Sequence, residues 1–435
     1  MVCPTCCAVV APAVGVSTAT STPTLAARRV VSVHQKGHRM SNSAALNLPQ
    51  VLVLGGGFGG VQAAMELART KKFRVSLISE RSFLHLFPTS IWIPTRGIRT
   101  DQTRVPLTAI AKANDFTLVN GAVAGIDAAT NTVQTSAGNL SYDYLVIAMG
   151  SGKMKPPGVE NSESLCTGPQ AAVTLREQLD ALIAAGTGRI AVGFGGNPKD
   201  PSAVRGGPAF EFLFNVDHLL RRTGLREAFE LTFFAPMEQP GIRMGKKAYE
   251  SLGPELGKRG IARQVGVPIA RFSAEGVEFA DGNVLPADLV MFIPAGTGHP
   301  VLTGSGLATT EAGFLDIDSG CLVAGTTNVY AVGDSAAMAG PDWRAKQGHM
   351  AEVMGRVAAH NIAYDHEGRS ERESYLDHVT LVCLMDVGNG ANLVYRTSRR
   401  EGIIPLPVVG HWAKRAWGWY AGATKLRRFP RMPGL

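Results

Sequence analysis

The stretch from Val51 to Glu80 restricts the possible folds of this chain more than any other. Val51-Leu-Val-Leu54 is a short, continuous apolar run, the pattern of a strand buried on both faces of a parallel sheet. It leads into Gly55-Gly-Gly57-Phe-Gly-Gly60 and a helix-forming stretch that begins at Val61. A second apolar strand, Arg74-Val-Ser-Leu-Ile, follows and ends in Ser79-Glu80. In such a unit Gly55 permits the tight turn, Gly57 lets backbone approach a pyrophosphate, and Gly60 lets helix and strand pack closely. The helix start offers backbone N–H groups to the phosphates. Glu80 is placed to hydrogen-bond the ribose hydroxyls of an adenosine half. The expected class is therefore α/β, with a dinucleotide-binding domain near the amino terminus.

Two later segments bear on which dinucleotide is held. Tyr142-Asp-Tyr-Leu-Val-Ile-Ala-Met-Gly150 reads as a strand ending in a small-residue turn. Asn328-Val-Tyr-Ala-Val-Gly333-Asp334 reads as another, followed by a helical stretch between Lys346 and Asn361 that takes in Gly348. Alone, Asp334 would be an ordinary helix N-cap. In order after the first glycine turn, these segments look like the motifs of flavoproteins with two dinucleotide domains. That likeness makes FAD the occupant of the first site and puts Asp334 on its ribitol chain.

Residues 153–318 repeat the strand–turn–helix logic and then break it. Arg189-Ile-Ala-Val-Gly193-Phe-Gly195-Gly-Asn-Pro198-Lys-Asp-Pro201 starts like a second fingerprint, but a third glycine in register is absent. Pro198 and Pro201 stand where phosphate-binding N–H groups would be needed. The following helix is expected only from Gly206-Gly-Pro208, since proline is accepted in a first turn. A second nucleotide domain whose NADH-binding turn has been replaced is the expectation. Leu231-Thr-Phe-Phe and Leu289-Val-Met-Phe-Ile read as further core strands of that domain.

The net charge of +8 is misleading until it is located. Arg28, Arg29, Lys36 and Arg39 stand in an amino-terminal tail without acids, and six more cations stand in residues 411–435, again without acids. The body is close to neutral, so a nucleic-acid-binding surface is not expected. No apolar run reaches the length of a membrane-spanning helix. Residues 1–39 read either as a targeting segment or as a start extended upstream of Met40. Cys3, Cys6 and Cys7 lack a second ligand pair, so no metal site is expected.

Cys166, in Ser-Leu-Cys-Thr-Gly, and Cys383, in Leu-Val-Cys-Leu-Met-Asp-Val-Gly, have no Cys-x-x-Cys partner. With Lys346-Gln-Gly348-His-Met-Ala-Glu and Gly206-Gly-Pro-Ala-Phe-Glu, they make residues from about 50 to 425 resemble one branch of the pyridine-nucleotide disulfide oxidoreductases. That branch comprises the sulfide:quinone oxidoreductases and the flavocytochrome c sulfide dehydrogenases. The resemblance implies a glutathione-reductase-like FAD fold with two Rossmann-like domains. It also implies a redox-active sulfur bridge between Cys166 and Cys383, with Cys383 nearer the flavin and Cys166 bearing the growing sulfur chain. Lys346 would then lie at the flavin edge, where a cation stabilises the reduced ring. Thiolates are the nucleophiles in such chemistry, and a buried cysteine needs a positive neighbour to ionise. Cys321 reads as a small buried apolar residue. Many quinone-reducing members carry a third cysteine soon after the strand that ends here at Gly150, where this chain has Ser151-Gly-Lys-Met-Lys.

At the carboxyl end, Trp412, Ala416, Trp419 and Tyr420 fall near one helical face, with Lys414, Arg415, Lys425, Arg427 and Arg428 nearby. Aromatic plus basic composition suits a helix lying on an anionic lipid surface. The expected division is a tail (1–48), a first FAD-binding part (49–152), a degenerate second nucleotide domain (153–318), a second FAD-binding part (319–370) and a cysteine-bearing, membrane-facing segment (371–435). The expected activity is oxidation of sulfide, or a related small sulfur species, by a peripheral enzyme that reduces membrane quinone on the cytoplasmic face of a bacterial inner membrane. The alternatives are a type II NADH:quinone oxidoreductase, the flavin subunit of a flavocytochrome c, and a non-catalytic flavin-fold redox sensor. A homo-oligomer is left open.

Overall fold

The glycine-turn unit folds as its pattern predicts. In the computed structural model, which describes residues 48–431, the strand Gln50–Leu54 leads through the turn into the helix Phe58–Thr70 and the strand Arg74–Ser79. The three amino-terminal cysteines and the targeting or upstream-start reading of residues 1–39 lie outside the described residues. Five parallel strands form the first sheet, in the order Val329–Ala331, Tyr144–Ile147, Gln50–Leu54, Arg74–Ser79, Thr117–Asn120. Val51 to Leu54 are all buried, which accounts for their unbroken apolar run. The helices Phe58–Thr70 and Gly348–His366 meet through glycine, because a side chain at Gly355 would collide with the Gly59 carbonyl, 2.5 Å from a Cβ placed there.

A second parallel sheet has the order Ala262–Val265, Phe229–Ala235, Gly188–Phe194, Leu289–Ile293. One face buries Phe194, Phe210 and Phe233, with Phe210 and Phe233 stacked at 4.7 Å; the other buries Phe234, Phe272 and Phe292. The helix after the interrupted turn spans Gly207–Arg222, with Pro208 in its first turn as expected. The molecule is thus an α/β protein with two Rossmann-like sheets.

The carboxyl end adds an antiparallel meander, Leu381–Asp386, Gly390–Arg396 and Glu401–Pro407, and the helix Val409–Lys425. Lys414, Gly418, Ala421 and Lys425 recur at helical spacing on its buried face. Trp412 and Trp419 stand on the other face, 63% and 65% exposed. This corrects the reading of Lys414 and Lys425 as lipid-facing cations. Lys414 is buried against Glu211, and Lys425 against Gln62 and Glu352, at 2.7 and 2.8 Å. The aromatic face is as expected, although Tyr420 is half-buried.

Candidate active site

The carboxyl ends of the first sheet's strands carry the expected cofactor residues in spatial order: Asp334, Gly150, the Gly55–Gly60 turn, then Glu80. Three strand spacings separate the first from the last, about 14 Å, on the scale of an extended dinucleotide. The crevice outside these strand ends is where such sheets bind ligands. Gly55 has φ +109°, and a side chain there would strike the Ala148 carbonyl; one at Gly60 would overlap the Gly55 carbonyl. Over Gly57, by contrast, nothing lies within 4 Å of a Cβ position, and this N-cap residue supplies no side-chain cap. The helix therefore presents uncapped N–H groups to open space, as a pyrophosphate requires. Gly150 is also open above, and its carbonyl accepts a 3.0 Å hydrogen bond from Ser335 beside Asp334. Glu80 is exposed at the end of its strand.

Gly333, at φ +64°, brings its backbone against Ala351. Lys346, 8% exposed, donates to the carbonyls of Asp334 and Ala336 and lies 3.5 Å over the Phe314 ring. Burial pushes its amine down to about 7. Gly348 begins the helix Gly348–His366 beside the Phe58 ring. The open glycine cradle and this buried lysine fit FAD.

The second turn is filled from within. Asn197 accepts from the N–H of Lys199 at 3.0 Å through its side chain and from that of Asp200 at 3.2 Å through its backbone. The Asp200 carboxylate takes the N–H of Ser202 at 2.8 Å, its backbone carbonyl takes that of Ala203, and Pro201 takes that of Val204. Pro198 and Pro201 have no N–H to give. The N–H groups of Lys199, Asp200, Ser202, Ala203 and Val204 are thus spent inside the loop, and Asp200 adds negative charge. The residues here do not fit NADH.

The helix that should have served that pyrophosphate points elsewhere. A Cβ on Gly207, its first residue, would lie 3.9 Å from the Cys383 sulfur. The positive end of the helix dipole favours a Cys383 thiolate. Against it, burial and the nearby Glu211 push the thiol up to about 12, with Lys414 pulling down. Burial also raises Cys166, whereas the positive charges of Arg205 and Lys153 pull it down. Both cysteines pack against the same hydrophobic core and are free thiols. Cys321 is fully buried and distant in role, as expected of a packing residue.

Arg205, Lys153 and the Glu211–Lys414 pair escaped sequence reasoning. Arg205 stands directly before the Gly206-Gly-Pro motif and also pairs with Asp334. Glu211 accepts from the Asp386 N–H at 2.8 Å, while the Asp386 carboxylate meets His411 at 2.7 Å, so the meander and last helix are tied to the helix Gly207–Arg222. The only available signal was Glu211 itself, an acid in an apolar helix that requires a buried counter-ion. A cavity of about 610 Å³ lined by Arg74, Asp143 and Asn328 is at the amino ends of the first sheet's strands, away from the crevice, and holds no candidate nucleophile.

An open dinucleotide crevice, a buried lysine at its end and two thiols beside a sealed second turn define a flavin-dependent oxidoreductase. The chain belongs to the pyridine nucleotide-disulphide oxidoreductase family, whose model matches residues 49–361. It is 28% identical to the sulfide-quinone reductase of Aquifex aeolicus, over 83% of this chain and 87% of that protein. It is 24% identical to a type II NADH:quinone oxidoreductase of Staphylococcus aureus, over 80% and 90% of the two chains. The crystal structure of the Aquifex aeolicus sulfide:quinone oxidoreductase superposes with a TM-score of 0.77, covering 87% of this chain and 92% of that one at 25% identity. FAD is the cofactor.

Proposed function

We propose that the protein oxidises sulfide, or a related small sulfur species, and delivers the two electrons through FAD to quinone. The observation that carries this reading is the sealed second turn, whose helix is aimed at Cys383 and not at a nicotinamide dinucleotide. Similarity to sulfide-quinone reductases over most of both chains supports the same choice over the NADH-oxidising relatives. Residues 49–152 and 319–370 hold FAD, 153–318 form the sealed domain, and 371–435 supply Cys383.

In this reading Cys166 and Cys383 cycle between free thiols and a sulfur bridge. Hydrosulfide attacks the bridge, leaving a persulfide on Cys166 and a thiolate on Cys383. When the Cys383 thiolate closes on that persulfide, a trisulfide forms, and one proton and two electrons are released. Bound FAD supplies the two-electron acceptor between sulfur and quinone. Lys346 holds positive charge at the cofactor's end, and the Glu211–Lys414 pair borders Cys383.

Among the described residues no helix is long and apolar enough to cross a membrane. Val408, Val409, Trp412 and Trp419 nevertheless expose a contiguous stretch of apolar side chains, with Arg427 and Arg428 following. This face is proposed to rest on the bilayer, where lipophilic quinone is reached through aromatic insertion more than through lysine charge.

The test is anaerobic mixing of FAD-loaded protein with sulfide and, separately, with NADH. Sulfide is expected to bleach the flavin and quinone to restore it, with the sulfide step lost in Cys383→Ala. Bleaching by NADH, indifferent to either cysteine, would replace the reading with an NADH dehydrogenase.

A further inference from the structure

Leu381–Asp386, the strand that carries Cys383, lies at the edge of its meander and is paired on one side with Gly390–Arg396. Its outward N–H and C=O groups need partners from elsewhere. At Val382 one side chain takes both. Gln347 donates through Nε2 to the Val382 carbonyl at 3.1 Å and accepts the Val382 N–H through Oε1 at 3.3 Å. Two residues on, His349 Nε2 meets the carbonyl and the hydroxyl of Thr380, each at 3.2 Å. Positions 347 and 349 thus run antiparallel to 382 and 380, as a side-chain substitute for a neighbouring strand. Gln347 is the N-cap residue of the helix Gly348–His366 yet makes no side-chain cap there, so its amide serves the strand and not its own helix. Lys346, one residue earlier, is anchored on the Asp334 and Ala336 carbonyls at the end of the cofactor crevice. The far side of Cys383 is fastened as well, by Glu211 accepting the Asp386 N–H at 2.8 Å. Side chains alternate along a strand, so Val382 is 47% exposed while Leu381 and Cys383 pack against the core.

We propose that Gln347 is the positioning residue of Cys383: its amide closes the strand edge at Val382 and so fixes the thiol relative to the crevice that holds FAD. A thiol that must meet a cofactor has little latitude, since a misplacement of about 1 Å can cost about a hundredfold in rate. The functional meaning rests on the sulfide-oxidising reading; the fixing of the strand does not. The competing role is a fastener for Val382 alone, without effect on the residue beside it.

The experiment uses full-length, FAD-loaded protein with its thiols reduced under argon. Amide hydrogen exchange is read at single residues by mass spectrometry, and alkylation of Cys383 by iodoacetamide is timed alongside. Gln347→Met keeps the side-chain length but neither polar group. In it, exchange should quicken about tenfold at Val382 and also at Cys383, whose own N–H faces the strand Gly390–Arg396 and not Gln347. Alkylation of Cys383 should quicken several-fold. The limiting rate of flavin reduction by sulfide should fall about tenfold with little change in the half-saturating sulfide concentration, while reduction by dithionite stays as in the wild type. Gln347→Glu, which keeps an acceptor for the Val382 N–H and loses the donor, should fall between the two, and it decides the matter if Gln347→Met does not retain flavin. Faster exchange at Val382 alone, with Cys383 exchange and alkylation as in the wild type, would overturn the proposal. So would an unchanged limiting rate in a variant whose strand has loosened. Should sulfide leave the wild-type flavin oxidised, the proposed function fails, and exchange and alkylation still decide whether Gln347 fixes Cys383.

Discussion

The two glycine-rich turns begin alike and end as opposites. After Leu54 the backbone is bare: Gly57 has open space above it and the helix start is uncapped. After Phe194 the side chains of Asn197 and Asp200 take up the N–H groups of Lys199 and Ser202, and two prolines remove others. The strands beneath are equally parallel and equally buried, so the sheet does not decide which turn accepts a dinucleotide. What decides is whether backbone donors are left over once the loop has satisfied itself.

The sharpest way to break this contrast is to fill each turn. Gly60→Val drives a side chain into the Gly55 carbonyl and is expected to abolish FAD retention, a loss above about a hundredfold in affinity. Gly196→Ala, whose Cβ would meet only the Met237 methyl at 3.4 Å, is expected to keep full flavin content and change stability by less than about 0.5 kcal/mol. Flavin absorbance per protein and a thermal melt read both. Equal flavin loss in the two variants would mean that the second turn also carries cofactor.

Lys346 lies between the turns, hydrogen-bonded to the Asp334 backbone and facing the Asp200 charge. Its folded value of about 7 is below the ordinary lysine value, so between pH 7 and 10 the unfolded chain binds more protons. Stability of the cofactor-free protein should therefore rise with pH across that window, by up to about 1.4 kcal/mol per unit from this residue. Below pH 7 the cost of burying the charge is paid in full. Lys346→Met should flatten the rise and slow flavin reduction by sulfide about tenfold or more. Melting temperatures from pH 6 to 9 on stripped protein, with stopped-flow on the loaded protein, check both parts. A smaller effect than at Lys346 is expected from Asp200→Ala, which removes the Ser202 cap and should cost about 1 kcal/mol. It should not confer reduction by NADH, because Pro198 and Pro201 still lack donors.

The first turn was legible in sequence because its chemistry is local: glycines at fixed offsets, a strand before, a helix after, Glu80 at the next strand's end. The interruption of the second was legible for the same reason, through two prolines. The thiols were legible as residues but their surroundings were not. The charges of Arg205 and Lys153 act on Cys166 from separate segments, and Lys414 reaches Glu211 across 203 residues, a pairing that no spacing rule reveals. Lys414 and Lys425 were misplaced because the cations were counted with the aromatic face. They are two and six residues beyond Trp412 and Trp419, respectively, which is off the face that Trp412, Ala416 and Trp419 share.

The closed second turn has a consequence for supply. A respiratory enzyme that must dock NADH slows when the cell's nicotinamide pool is oxidised. On the sulfide-oxidising reading proposed above, Asn197 and Asp200 occupy that berth, so electron entry is uncoupled from carbon metabolism and answers to the sulfur compounds that reach Cys166 and Cys383.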